Sequence, residues 1–208
     1  MNRTVGVDFD NTIVDYDQVI RDAAVRHGLA ISDGLENKKS VRDALRQLPD
    51  GEQRWREVQA EVYGVNMAQA RLADGVDRFF LVCQQHSVPV FIVSHKTEFA
   101  AADNTRTNLR QAAMNWMTDH KFFESDGLGM SRSNVYFEET RLEKLERIKQ
   151  LDCTHFIDDL EETFFEESFP EGVAKILYTA EPPAKKMPEL MVTTTWSEIT
   201  EHLFHADN

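Results

Sequence analysis

Apolar residues in this chain follow two rhythms: short continuous runs, and longer stretches in which they return every third or fourth position. The runs are TVGVDFD at 4–10, VPVFIVS at 88–94, NVYF at 134–137, HFID at 155–158 and AKILYT at 174–179. Their β-branched and aromatic content predicts strands, and the length of VPVFIVS suits a strand buried on both faces. Helical spacing fills the intervals at 75–87, 104–120, 140–151 and 160–167, and a final helix is predicted at 197–204. Strands separated by helices of this length predict an α/β fold, a parallel sheet with helices on both faces.

Residues 17–74 break that rhythm. Polar helical sequence runs through 18–29, 40–48 and 52–73, punctuated by Gly28, by Ser32-Asp33-Gly34 and by Pro49-Asp50-Gly51, with no clear strand pattern. The predicted organisation is a core of residues 1–16 and 75–208, with a small α-helical insertion, 17–74, between the first strand and the rest.

Charge narrows the partners. The 208 residues include 36 acidic against 23 basic side chains, a formal net charge of -13. Such a surface repels nucleic-acid phosphates and anionic membranes, so no nucleic-acid binding is expected and an anionic substrate needs a local cation. No apolar run approaches the roughly 18 residues that span a bilayer. The two cysteines, Cys83 and Cys153, and an N-terminus without a signal-peptide pattern predict a reduced, cytoplasmic protein.

Candidate chemistry sits just past the first strand. VDFDNTIVDYD, residues 7–17, carries Asp8, Asp10, Asp15 and Asp17. A calcium loop beginning at Asp8 needs Gly at its sixth position and Glu at its twelfth; Ile13 and Val19 stand there. Turn and helix-capping acids are a simpler account, because such side chains accept backbone N–H groups. Two-residue spacing on an extended chain points Asp8 and Asp10 the same way. Other predicted strand ends carry Ser94 and Asp158-Asp159, and the helix before HFID carries Lys144.

In this order TVGVDFDNT, VFIVS, EKLERI and FIDD resemble the four signature motifs of the haloacid dehalogenase (HAD) superfamily of phosphohydrolases, over nearly the whole chain. The resemblance implies a Rossmann-like three-layer core, with 17–74 as a mobile cap that closes over the site and chooses the substrate. It implies Asp8 as nucleophile forming an aspartyl-phosphate, and Asp10 as the acid that protonates the leaving oxygen and later activates water. Mg2+ would be held by Asp8, Asp158 and the backbone carbonyl of Asp10. Ser94, Lys144, Asn11 and Thr12 would contact the phosphoryl group, and Asp159 would orient the metal's waters or Lys144. Lys144 is preferred to Lys149 and Arg141 because it lies near the start of its helix. His95 and Lys96 are candidate contacts to a second anionic group of the substrate. Arg54, Trp55, Arg56, Tyr63 and Arg71 are candidates for the cap's inner face, with cap core and solvated surface as the plainer account.

An acid at position 10 favours a phosphatase or phosphotransferase over a dehalogenase, whose halide departs unprotonated. Attack of a carboxylate on a phosphate dianion meets repulsion of about 4 kcal/mol per unit pair at 4 Å and an effective dielectric near 20. A hard divalent cation offsets it. The expected function is Mg2+-dependent hydrolysis of a small phosphorylated metabolite. Alternatives are transfer to another acceptor, phosphonate cleavage through a cap lysine (Lys38 or Lys39), or a catalytically idle phosphate-binding protein.

Overall fold

The computed structural model describes residues 3–30, 34–35, 37–100, 106–185, 187 and 189–204. Ser32 and Asp33 of the predicted break, and residues 104 and 105 of the predicted helix, lie outside the described residues. The strands are β1 (Val5–Val7), β2 (Val14–Asp15), β3 (Arg71–Leu72), β4 (Val90–His95), β5 (Val135–Glu138), β6 (His155–Asp158), β7 (Ala174–Tyr178) and β8 (Leu190–Thr193). Six form one parallel sheet in the order β5-β4-β1-β6-β7-β8, while β2 and β3 make a two-stranded ribbon.

Central position explains the composition of β1. Val5, Gly6 and Val7 pair with Val90, Phe91 and Ile92 on one side and with His155, Phe156 and Ile157 on the other, so all three are buried. A Cβ on Gly6 would lie 2.6 Å from Phe156 Cδ2 and 3.1 Å from Cys153 Sγ, so glycine is what lets that ring lie against β1. The chain fills one flank of β1 with β4 and β5 and then crosses over to place β6, β7 and β8 on the other. Such a switch point opens a crevice beyond the carboxyl ends of the strands, where α/β folds place ligands.

Alternation along the strands feeds two helical layers. Val93, Phe156 and Leu177 pack with Leu145 and Ile148 of α6 (Arg141–Gln150) and with Phe164 of α7 (Glu161–Phe165). Tyr178, of opposite parity to Leu177, meets Trp196 of α8 (Trp196–Phe204) with ring centroids 5.7 Å apart. Phe79 of α4 (Val76–Gln85) meets the same indole at 5.0 Å. Cys83 and Cys153 are free and buried, and burial pushes both thiols up to about 12, so they pack as small apolar groups.

The chain divides into two compact units, one of Met1–Val14, Leu72–Lys96 and Lys121–Asn208, the other of Asp15–Arg71 and Thr97–His120. The first holds the parallel sheet. The second holds α1 (Asp17–Arg26), α2 (Lys38–Leu45), α3 (Gly51–Tyr63) and α5 (Leu109–Asp119). The sequence places 97–120 in the core; in the structure this segment belongs with the helical unit. Trp116 of α5 is 1% exposed and its Nε1 donates to the Ala70 carbonyl at 2.9 Å. That bond joins two segments of the helical unit that lie 46 residues apart in the chain.

Two further differences have local causes. The predicted helix 52–73 ends at Tyr63, and a 3-10 turn at Met67–Gln69 and then β3 complete the stretch. Strand β8 has no counterpart among the predicted strands because the four-residue LMVT follows the polar, proline-containing stretch EPPAKKMPE. Among the described residues, no helix is long and apolar enough to cross a membrane.

Candidate active site

Beyond β1 the ladder runs on for one residue: Asp8 N–H donates to the Ile157 carbonyl at 2.8 Å, fixing the Asp8 main chain beside β6. Helix α6 supplies the facing cation. Its capping box, with Thr140 accepting from Glu143 N–H and Glu143 accepting from Thr140 N–H, sets the first turn and thereby the direction of Lys144. Lys144 Nζ donates to Asp8 Oδ1 at 2.6 Å and to Asp158 Oδ2 at 2.7 Å, and lies 5.3 Å from the Phe156 ring centroid. Asp158 is also held by the Leu160 N–H, which donates to its Oδ1 at 2.9 Å.

Burial governs the electrostatics here. It pushes the Asp8 carboxyl up to about 6, with Asp158 and Asp10 adding to the rise and Lys144 opposing it. At Lys144 burial works against the charge, but the carboxylates of Asp158 and Asp8 outweigh it and hold the ammonium above its usual value. Within the ion triad the charged form is thus favoured at Lys144 and disfavoured by burial at Asp8.

Asp8, Asp158 and Asp159 each offer a carboxylate oxygen, and these atoms lie within 4.8 Å of one another. An all-oxygen donor set suits a hard cation such as Mg2+, so the residues present fit the metal that the resemblance implies. Asp159, expected to act through waters or Lys144, stands among the candidate direct donors. The Asp10 side chain is outside that cluster.

Asp10 instead faces Lys96. Lys96 Nζ donates to both its carboxylate oxygens, at 2.8 and 3.0 Å, and the lysine is only 4% exposed. Lys96 is thus bonded to the candidate acid, while His95 beside it is exposed. Ser94 is 1% exposed and pairs in register with Phe137 of β5. The Lys96–Asp10 pair is the site feature that sequence reasoning missed; its only signal is a lysine two residues beyond Ser94.

Asn11 and Thr12 shape the turn that leaves the sheet. Asn11 adopts φ 59°, a left-handed conformation that asparagine tolerates well, and Ile13 and Val14 N–H both donate to the Phe9 carbonyl. Thr12 is fully buried; its carbonyl accepts from Trp196 Nε1 at 3.3 Å, and its Oγ1 has no hydrogen-bond partner among the described residues.

The remaining candidates make contacts of their own. Asp15 Oδ1 accepts from Asp17 N–H, and Asp17 Oδ1 accepts from Lys38 N–H, which fits turn and capping acids. Lys149 is exposed and Arg141 pairs with Glu166. In the helical unit Arg54 donates to the carbonyls of His27 and Pro49, Trp55 is buried, Tyr63 stacks edge-on against Tyr16, Arg56 pairs with Glu52 and Arg71 with Asp15.

No protein-family model matches the sequence, and no curated protein matches it. Solved structures do. Protein tyrosine kinase A of Mycobacterium tuberculosis aligns over 98% of both chains at 15% identity and a TM-score of 0.63. A haloacid dehalogenase-like family hydrolase from Streptococcus pneumoniae aligns over 97% of this chain and 98% of its own, at 14% identity and a TM-score of 0.60. A predicted phosphoglycolate phosphatase from Haemophilus somnus covers the same shares at 15% identity and a TM-score of 0.58. The class that these likenesses define is one of fold: the chain has the architecture of the HAD-like hydrolases. At the switch point of that fold it carries Asp8, Asp10, Ser94, Lys144 and Asp158.

Proposed function

We propose that the protein is a Mg2+-dependent phosphohydrolase acting on a small soluble phosphate ester through an aspartyl-phosphate on Asp8. The observation that carries this reading is the buried Asp8–Lys144–Asp158 triad at the switch point of a HAD-like fold. Asp8 Oδ attacks phosphorus as the ester P–O bond breaks, and Asp10 gives its proton to the leaving oxygen. In the second half Asp10 takes a proton from water, whose oxygen attacks the aspartyl-phosphate, releasing inorganic phosphate and restoring Asp8. Lys144 and Ser94 donate to phosphoryl oxygens as charge develops on them. Asp8, Asp158, Asp159 and the Asp10 carbonyl would hold Mg2+. When bound, the cation offsets the repulsion between the carboxylate and the phosphoryl dianion.

Residues 17–74, together with 97–120, are assigned the choice of substrate on this reading, and the working compartment is the cytoplasm. The same residues would serve transfer to an acceptor other than water; the protein tyrosine kinase with this fold gives that second reading a specific motive. Release of inorganic phosphate against formation of a phosphorylated acceptor separates the two.

A panel of phosphate esters, assayed with Mg2+ and with a chelator beside Asp8→Asn, tests the proposal. The wild type should turn over at least one ester with Mg2+ only, and Asp8→Asn should lose about 10³-fold or more. Activity surviving in Asp8→Asn would sink the covalent route. No turnover of any ester would sink the hydrolase assignment.

A further inference from the structure

The C-terminal helix reaches the turn beyond β1 through one buried side chain. Trp196 opens α8, is fully buried, and its Nε1 donates to the Thr12 carbonyl at 3.3 Å. Phe79 and Tyr178 pack against the indole, with ring centroids 5.0 and 5.7 Å away. The catalytic steps give this residue no task.

Thr12 belongs to the turn that carries Asp10. Within the turn the Phe9 carbonyl accepts from Ile13 and Val14 N–H; from outside it, Trp196 Nε1 donates to the Thr12 carbonyl and Ala73 N–H to the Ile13 carbonyl. Asn11 sits at φ 59°, in the left-handed region, and the buried Thr12 hydroxyl has no hydrogen-bond partner among the described residues. A turn with such local costs takes its shape from its surroundings. Removing the indole N–H would leave the Thr12 carbonyl buried and unpaired, a state that the turn relieves by moving.

That movement falls unequally on the two carboxylates. Asp8 is held apart from the turn, by its N–H on the Ile157 carbonyl and by Lys144 Nζ on its Oδ1. Asp10 lies on the turn itself, bridged to Val14. We propose that Trp196 is a positioning residue for the acid: its indole N–H sets the turn and, through the turn, the place from which Asp10 protonates the leaving oxygen. The inference rests on the phosphohydrolase reading and deepens it, because the acid step then depends on the C-terminal helix while the attack by Asp8 does not.

The leaving group separates the two steps. 4-Nitrophenolate and acetate depart without a proton, whereas alkoxides and phenolate, which is about as basic as a tyrosine side chain at about 10, need one. In the full-length protein with Mg2+, kcat/KM is measured on 4-nitrophenyl phosphate and acetyl phosphate, and on phenyl phosphate and the fastest alkyl ester of the panel. Trp196→Phe keeps a buried ring and removes the N–H. It should lose about tenfold or more on the esters with basic leaving groups and less than about threefold on the other two, since misplacing a reacting group by about 1 Å can cost about 10²-fold. Gly75→Ala, whose Cβ would stand 3.1 Å from Trp196 Cβ, displaces the indole without removing it and should show the same selectivity more weakly. Ile199→Ala, equally buried on α8, should lower all the esters alike.

An equal loss on all esters in folded Trp196→Phe, or no loss, overturns the proposal and leaves the phosphohydrolase reading standing. Where Trp196→Phe does not fold, Gly75→Ala decides in the same way; failure of both to fold would make Trp196 a folding residue only. A selective loss in Ile199→Ala also overturns it, because any loosening of α8 would then suffice. If the wild type turns over no ester, both readings fall.

Discussion

The two units of this protein handle charge in opposite ways. At the carboxyl edge of the sheet, Lys144 faces Asp8 and Asp158 and Lys96 faces Asp10, with the lysine side chains 3% and 2% exposed. In the helical unit Arg26 meets Glu61 with side chains 48% and 22% exposed, and Arg71 meets Asp15 at 70% and 33%. Even at the half-buried Glu61, where burial acts to raise the carboxyl, bonds from Arg26 and His27 pull it below its ordinary value. Ion pairs near the surface are nearly neutral in stability, whereas buried ones carry a desolvation penalty that well-packed apolar groups avoid. Concentrating that penalty at one strand edge is what the proposed chemistry would require of these charges.

Lys144→Met should break the contrast most severely. It leaves Asp8 and Asp158 buried without their cation, so stability in urea at neutral pH should fall by about 3–5 kcal/mol. If the proposed reaction holds, turnover should fall by about 10³-fold or more. A stable, active Lys144→Met would show the triad to be ornamental.

The helical unit should answer chiefly to apolar packing. Trp116→Ala should cost about 3–5 kcal/mol, and Trp116→Phe, which mainly removes the bond to Ala70, about 1 kcal/mol. Urea denaturation followed by circular dichroism measures both.

A smaller effect depends on pH. Burial lowers the His155 imidazole from 6.5 to about 4, with His202 and Arg3 acting in the same direction. The unfolded chain therefore takes up this proton first as pH falls, so stability drops through the window from 6.5 down to about 4 and gains no further slope from this residue below it. His155→Gln should flatten that part of the profile, visible as a smaller difference between urea midpoints at about pH 7 and about pH 4.5. An unchanged profile would remove His155 from the account. Least of all, Arg71→Ala should change stability by under about 1 kcal/mol; a larger loss would mean that the surface pairs of the helical unit are not the inexpensive kind.

What was legible in the sequence follows from the same physics. Strands β1, β4 and β6 announce themselves because strands deep in the sheet need unbroken apolar runs, and the less buried β5 and β7 through their β-branched and aromatic content. Asp8, Ser94 and Asp158 are readable because each ends such a run, and Lys144 because it opens the helix before β6. Strand β8 lies far from the carboxylate cluster and is only partly buried, so its four residues carry little pattern. Membership of 97–120 in the helical unit depends on Trp116 finding Ala70, a contact that periodicity cannot express because apolar spacing in α5 is the same whichever unit it packs on. The Lys96–Asp10 pair was hidden for a similar reason: 86 residues separate its members, and a lysine after a strand is ordinarily solvated.

Gly6 ties the packing of the sheet to that of the site. Its missing side chain admits the Phe156 ring, and the same ring lies against the Lys144 ammonium. Positions 6 and 156 thus fit like two pieces of a mortise: a larger residue at one calls for a smaller one at the other, and the cation that faces Asp8 would lose its aromatic neighbour in the exchange. A Cβ at this buried glycine would therefore be felt, through the Phe156 ring, beside the Lys144 ammonium.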